Sequence, residues 1–378
     1  MSACDCDRET RQIETQKKPL PYGIDSYREW LKREGIPVHE GLALNLFQLD
    51  TSDWPRFGVR GAAMRFEGGG DFCSMFLLDI PASAATIPVQ HLYEAIYFVL
   101  EGRGSTQLEF RDGNKRHFEW GPGSFFAIPL NAKYRFFNAS GWERALLVST
   151  TTAPMVMKLF HNDEFVFNLP FEFAERFGPV EHTTGEGELH MIKPGQNTWQ
   201  TNFVPDLTNI PLTAYDERGT GSLNIKFALA DSPMHAHVSE IAPATYKKAH
   251  RHEGGIHVMT LTGGGYSLLW WPGDNDFQRV EWEYGVVFPP RNQQFHQHFV
   301  TSEQASRYVA TGLGGVSYVF SESQRRTAGF DNQVAAGKRS VKEGGDQIEY
   351  EDQDPRIHEI WLEEMRKRGI TPRFELPK

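Results

Sequence analysis

Cysteine is scarce in this chain. Of 378 residues only three are cysteines, Cys4, Cys6 and Cys73. Two of them sit in a polar N-terminal stretch, which excludes a disulfide framework. Long apolar runs are also missing: nothing approaches the roughly 18 uninterrupted apolar residues a membrane helix needs. Met1 to Lys18 is charged and lacks the apolar core of a secretory signal. A reducing, cytoplasmic setting without a membrane partner is the default expectation. Positive charge is in short supply too. Lys and Arg number 39 against 49 Asp and Glu, a formal net charge of −10. With no concentrated basic stripe, nucleic-acid binding is not expected.

What the chain does have is aromatic and turn-forming residues. Aromatics make up 13%, with Phe 27 and Trp 9, beside Gly 35 and Pro 22. Hydrophobic residues at 39% and charged residues at 23% are those of an ordinary globular protein. At about 150 residues per domain, the length predicts two to three domains. Short runs such as FCSMFLLDI (72–80), AIYFVLEG (95–102) and RALLVSTTT (144–152) are rich in β-branched and aromatic residues, and Gly, Pro, Asn and Asp break them at short intervals. That spacing predicts an all-β sandwich or barrel rather than alternating strands and helices. The same texture returns from about residue 222.

Helices are predicted at two places by their capping chemistry. Ile24 to Gly35 has Asp25 or Ser26 as cap and ends on Gly35; Asp354 to Gly369 carries an apolar stripe of Ile357, Ile360, Trp361 and Met365. A short helix is also expected between His161 and Phe177. The resulting plan is a disordered tail (1–20), a first β module (21–190), a linker (191–220), a second β module (221–340) and a helical extension (341–378).

The two β segments invite alignment with each other. AIYFVLEGRGSTQLEF (95–110) matches HVMTLTGGGYSLLWW (257–271), and EWGPGSFFAIPLNAKYRFFN (119–138) matches WEYGVVFPPRNQQFHQHFV (282–300). One β module used twice is the economical reading.

Histidines concentrate in the second copy. His250 and His252 stand two apart, His257 follows after Gly254 and Gly255, and His296 and His298 form a second pair about forty residues on. In a strand, residues two apart share a face, so each pair can converge on one point. Imidazole is a favoured ligand for Fe, Ni, Cu and Zn. His235 and His237 form another same-face pair, expected to line the barrel mouth. Trp270 and Trp271 are expected to point to opposite faces. Arg291 is either a surface residue or a carboxylate clamp.

His250-x-His252-x4-His257-x5-Gly263, followed by Gly285-x3-Pro289-Pro290-x5-His296, resembles the two motifs of the cupin superfamily. The resemblance implies a bicupin: two double-stranded β-helix barrels, the second holding one divalent metal. His257 falls in the place usual for a glutamate, so the ligand set becomes all nitrogen. Such a set resembles the Fe(II) centres of ring-cleaving cupin dioxygenases such as gentisate dioxygenase. Implied as metal ligands are His250, His252 and His296, with His298 the alternative to His296 because the second-motif histidine is displaced by two residues, and with His257 a fourth ligand or a pocket-wall group. His298 is the implied acid/base or supporting residue, with His257 sharing that role if it does not ligate. The implied activity is cleavage of a C–C bond in a small aromatic or hydroxy-acid substrate with O₂. The alternatives are a non-oxidative enzyme using Mn, Zn or Ni, and a small-molecule binder without turnover. In the first module, Tyr134 stands where the second motif has histidine. Only Glu94 is expected to keep its place there, with His91 displaced. That module is expected to hold no metal. A homo-oligomer is implied by analogy.

Overall fold

The computed structural model describes residues 23–377 apart from 70–71, 178–182, 194–195 and 314–338. Cys4, Cys6 and the expected disordered tail up to residue 20 lie outside the described residues.

Strands dominate, and they assemble into two successive β modules of the kind the motifs imply. The first pairs an 8-stranded sheet with a 3-stranded one; the second pairs a 9-stranded sheet with a 5-stranded one. In each module the two sheets face each other across an interior. The first interior is packed with Phe76, Leu78, Tyr97, Val99, Phe126, Tyr134 and Phe136. In the second, Val258, Leu269, Trp282, Phe288, Val300 and Tyr308 cluster. The two large sheets also pack on one another, burying Ile96, Phe98 and Val148 of the first module against Phe227, Met259, Leu261 and Val309 of the second. Burying two sheet faces explains why strands such as Ser74–Ile80 and Ala145–Thr151 are buried on both sides rather than alternately.

The modules exchange strands. Leu44–Asn45, from the first half, pairs with Val286–Phe288 in the second module's sheet. Phe203–Val204 pairs back with Phe125–Ile128 of the first. The stretch expected to be a linker therefore carries strands of both sheets, including Gln196–Gln200, which runs parallel to Leu223–Ala228.

Both capped helices form. Helix α1 (Ser26–Glu34) takes its N-cap from Asp25, whose carboxylate accepts the Arg28 amide at 3.1 Å, and ends on left-handed Gly35. Its Tyr27, Trp30 and Leu31 close one end of the first interior. Two short helices follow the strand Ala145–Thr151: α2 (Ala153–Phe160), which sequence reading missed, and α3 (Asp163–Asn168). Helix α4 (Pro355–Arg368), capped by Asp354 and Gly369, lays Ile357, Trp361 and Met365 on the outer face of the second module's small sheet, against Tyr246, Tyr266 and Phe299. No helix among the described residues is long and apolar enough to cross a membrane.

Candidate metal centre

The strand pair at the heart of the second module is short. His250 ends Ala249–His250 and sits directly opposite His296 of Phe295–Val300 in antiparallel register. Their ring centroids are 4.1 Å apart. His252 lies just past the strand end, in the loop, with its ring 4.8 Å from His296 and 5.8 Å from His250. One ligand atom from each of His250, His252 and His296 can be chosen so that all lie within 4.8 Å of one another. This is the one such group among the described residues, and it can hold a metal ion.

The electrostatics suit a cation and resist a proton. Burial pushes the basicity of all three imidazoles down and the Arg218 charge pushes the same way; neighbouring imidazoles add to this at His250 and His296, whereas the Glu253 carbonyl and Asp346 work against it at His252. The rings are therefore neutral at neutral pH, the form that ligates. Backbone carbonyls set the tautomers. His252 Nδ1 donates to the Glu253 carbonyl at 2.6 Å, and His296 Nδ1 points to the Gln294 carbonyl at 3.4 Å. Both Nε2 lone pairs are thus left for a ligand. His250 Nδ1 is buried without a hydrogen-bond partner. An orphaned nitrogen beside two inward lone pairs is costly unless a cation sits among them.

His298 is two residues along the same strand and the same face. Its ring lies 5.4 Å from that of His296 and 4.9 Å from Tyr308, and its Nδ1 shares a 2.8 Å hydrogen bond with Ser267 Oγ. Trp282 Nε1 donates to the same Ser267 oxygen at 2.8 Å, which fixes the serine and hence the ring. His298 is neutral as well, held low by burial and by Lys247.

His257 is elsewhere. Its strand, Ile256–Thr262, belongs to the large sheet, where His257 pairs with Thr311. Val258 points into the second module, whereas Met259 and Leu261 point toward the first. His257 shares their face and packs edge-on against Phe66, with centroids 5.2 Å apart. Neither of its nitrogens makes a hydrogen bond of good geometry. The structure thus corrects its placement as metal ligand or catalytic group. Motif spacing put His257 in the ligand set, and the internal alignment is likewise one residue out there. Thr150 and Thr311, 161 residues apart, bond to each other at 2.6 Å across the module interface. Thr150 pairs with Ile96 and Thr311 with His257, so His257 corresponds to Ile96, not to Ala95. A one-residue shift in a strand exchanges its faces.

The same correspondence relocates the first module's residues. Val89 opposes Tyr134 as His250 opposes His296, so His91 occupies the place of His252. It is not displaced. Glu94, by contrast, is buried in an ion pair with Arg176 at 3.3 Å.

His235 and His237 point into the second module from Met234–Ile241, bonded to each other at 2.7 Å. Burial lowers the pKa of His235 to about 3, and burial together with the neighbouring His235 and Lys247 holds that of His237 well down too. Trp270 is buried and Trp271 is 37% exposed, on opposite faces as expected. Arg291 lies over the Trp271 ring and pairs with Glu67 on the surface. Sequence reading missed Lys247, which lies 2% exposed inside the module; it follows Tyr246 and precedes Lys248, a context that reads as surface.

No family model and no curated protein matches the sequence. Solved structures with a similar fold include the 7S globulin of Momordica charantia (13% identity, 73% of this chain and 84% of that one, TM-score 0.46). A variant of Bacillus subtilis oxalate decarboxylase matches at 8% identity over 80% of this chain and 85% of that one, TM-score 0.47. Vicilin from hazelnut, Corylus avellana, matches at 11% identity over 72% and 86%, TM-score 0.45. None of these matches bears on metal or substrate.

Proposed function

We propose that the second module is the active site of a metal-dependent enzyme, a non-haem Fe(II) dioxygenase that cleaves a C–C bond of a small aromatic or hydroxy-acid substrate. The observation that carries this reading is the ligand set: three neutral imidazoles, His296 buried and His250 and His252 half-buried, with no carboxylate among them. His250, His252 and His296 would hold the ion. Fe(II) bound by three neutral donors keeps its full +2 charge and open positions, and so supplies a place for a chelating anion and O₂ together. The chain's own contribution is positional. The Glu253 and Gln294 carbonyls hold two ligand tautomers, and Trp282 and Ser267 hold His298 beside them. The apolar wall of Val258, Phe288 and Val300 limits water.

A non-oxidative use of the same site, with Mn, Zn or Ni as Lewis acid, is favoured by one feature. His298 is neutral, oriented and next to the ligand set, and so can take or return a proton.

Metal analysis of protein purified anaerobically without chelator tests the reading, with His252→Ala as control. Iron near one per chain, lost in the control, together with O₂ uptake in the presence of hydroxy acids, is the expected result. Manganese or zinc with O₂-independent turnover would replace it by the second reading. No metal in either protein would overturn both.

A further inference from the structure

Among the described residues, the strands of the second module send positive and neutral polar groups into its interior but no acid. Its strands contain only two carboxylates on the sequence from Leu223 to Leu313, Glu240 and Glu281, and both face outward. Glu240 pairs with Arg307 and Glu281 with Arg279. Facing inward instead are His235, His237, His298, Tyr308 and a lysine, Lys247.

Lys247 is the unusual member. Its backbone amide donates to the His298 carbonyl at 3.0 Å, which seats it beside the ligand strand. Its Nζ reaches Tyr308 Oη at 3.3 Å and stands 5.1 Å from that ring's centroid. No carboxylate among the described residues pairs with it. An ammonium so buried costs several kcal/mol without a counter-charge. Burial and the nearby Arg218 accordingly lower its pKa to about 7. The first module shows that the fold does not require it. Ala85 opposes Phe137 as Tyr246 opposes Phe299, so Thr86 fills the corresponding position, its hydroxyl accepting the Phe136 amide at 2.9 Å.

We propose that Lys247 is the carboxylate-binding residue of this site, and that the substrate is a small organic acid whose anionic group pairs with the Lys247 ammonium while its other donors reach the three-histidine group. The inference rests on the proposed metal site and names the substrate class for it. Tyr308 steers the ammonium, and the arriving carboxylate supplies the counter-charge that the interior lacks.

Calorimetric titration tests this with 2-hydroxybenzoate and lactate, each beside its neutral amide. Wild type, Lys247→Met, Lys247→Arg and His252→Ala are titrated, metal-free and after Mn(II) loading, with metal content measured on each. At least one acid should bind loaded wild type about tenfold or more tighter than its amide. Lys247→Met should abolish that preference with metal content unchanged, and Lys247→Arg should retain part of it. Because methionine removes a buried charge at similar length, Lys247→Met should melt no lower than wild type. Should it fail to fold, Lys247→Gln takes its place. Equal acid binding by wild type and Lys247→Met, or no preference for either acid over its amide in wild type, overturns the proposal while leaving the metal site standing. Failure of wild type to take up metal defeats the metal reading instead, and the acid-over-amide preference of the metal-free proteins then decides on Lys247 by itself.

Discussion

The two modules solve the same local problem with different side chains. In each, a histidine just beyond a short strand donates its Nδ1–H to a nearby backbone carbonyl: His91 to Tyr93 at 2.9 Å, His252 to Glu253 at 2.6 Å. In each, the Nε2 lone pair is left facing the interior. The first module meets it with a phenol. Tyr134 Oη donates to His91 Nε2 at 2.9 Å, and Tyr97 Oη donates in turn to Tyr134 at 2.6 Å. That chain is closed, and the ring of Tyr93 stacks on His91 at 3.8 Å. The second module puts His296 in the place of Tyr134 and His250 in the place of Val89. A lone pair now meets other lone pairs. A metal cation satisfies all of them at once, and burial denies that role to a proton. Two exchanges, valine for histidine and tyrosine for histidine, thus separate a packed core from a ligand set.

The largest effect that can break this comparison is loss of a ligand. His252→Ala should lower metal affinity by more than about a hundredfold, whereas His91→Ala should leave metal content unchanged and cost about 1–3 kcal/mol of stability. Metal analysis and denaturant melts read the two outcomes. Equal metal loss in both variants would mean that the first module also binds.

The converse experiment builds the missing pair. Val89→His with Tyr134→His should raise metal content from about one to about two per chain, because His91 is already oriented. A folded double variant that gains no metal would show that the surrounding Tyr97 and Phe136 packing, not ligand identity, divides the modules.

Acid should strain both halves. Burial lowers the pKa of His91 and of His257 from 6.5 to about 4. Since the folded value is depressed, the unfolded chain takes up the proton first. Stability contributed by each neutral ring is complete above pH 6.5 and drains by about 3 kcal/mol as pH falls to 4. Metal-free protein should show this in melts across that window, and His91→Phe should flatten the slope.

The smallest expected effect concerns the misplaced histidine. His257→Ile restores the residue type of its counterpart Ile96 and removes two poorly satisfied ring nitrogens. It should raise stability at pH 7 by about 1 kcal/mol with metal content intact. Metal loss in this variant would return His257 to the site.

Much of the architecture was readable before any coordinates. Asp25 and Gly35, or Asp354 and Gly369, encode helix ends through local hydrogen bonds and left-handed backbone, which need no distant partner. Short aromatic runs broken by Gly and Pro encode strands in the same local way, and the ordered histidine pairs pointed to His250, His252 and His296. Helix α2 escaped because APMVMKLF follows an apolar strand without a capping hydrogen bond, Thr152 making none. What the chain alone could not decide was facing. Whether His257 looks inward depends on a register set by Thr311 on another strand. Whether His91 corresponds to His252 depends on Val89 meeting Tyr134. That Lys247 lies inside depends on Tyr246 being drawn outward by Trp361 and Phe374. Residue type and local spacing determined which groups could do chemistry here. Pairing between distant strands decided which of them meet, because with a side-chain period of two a single residue of register turns the interior face outward.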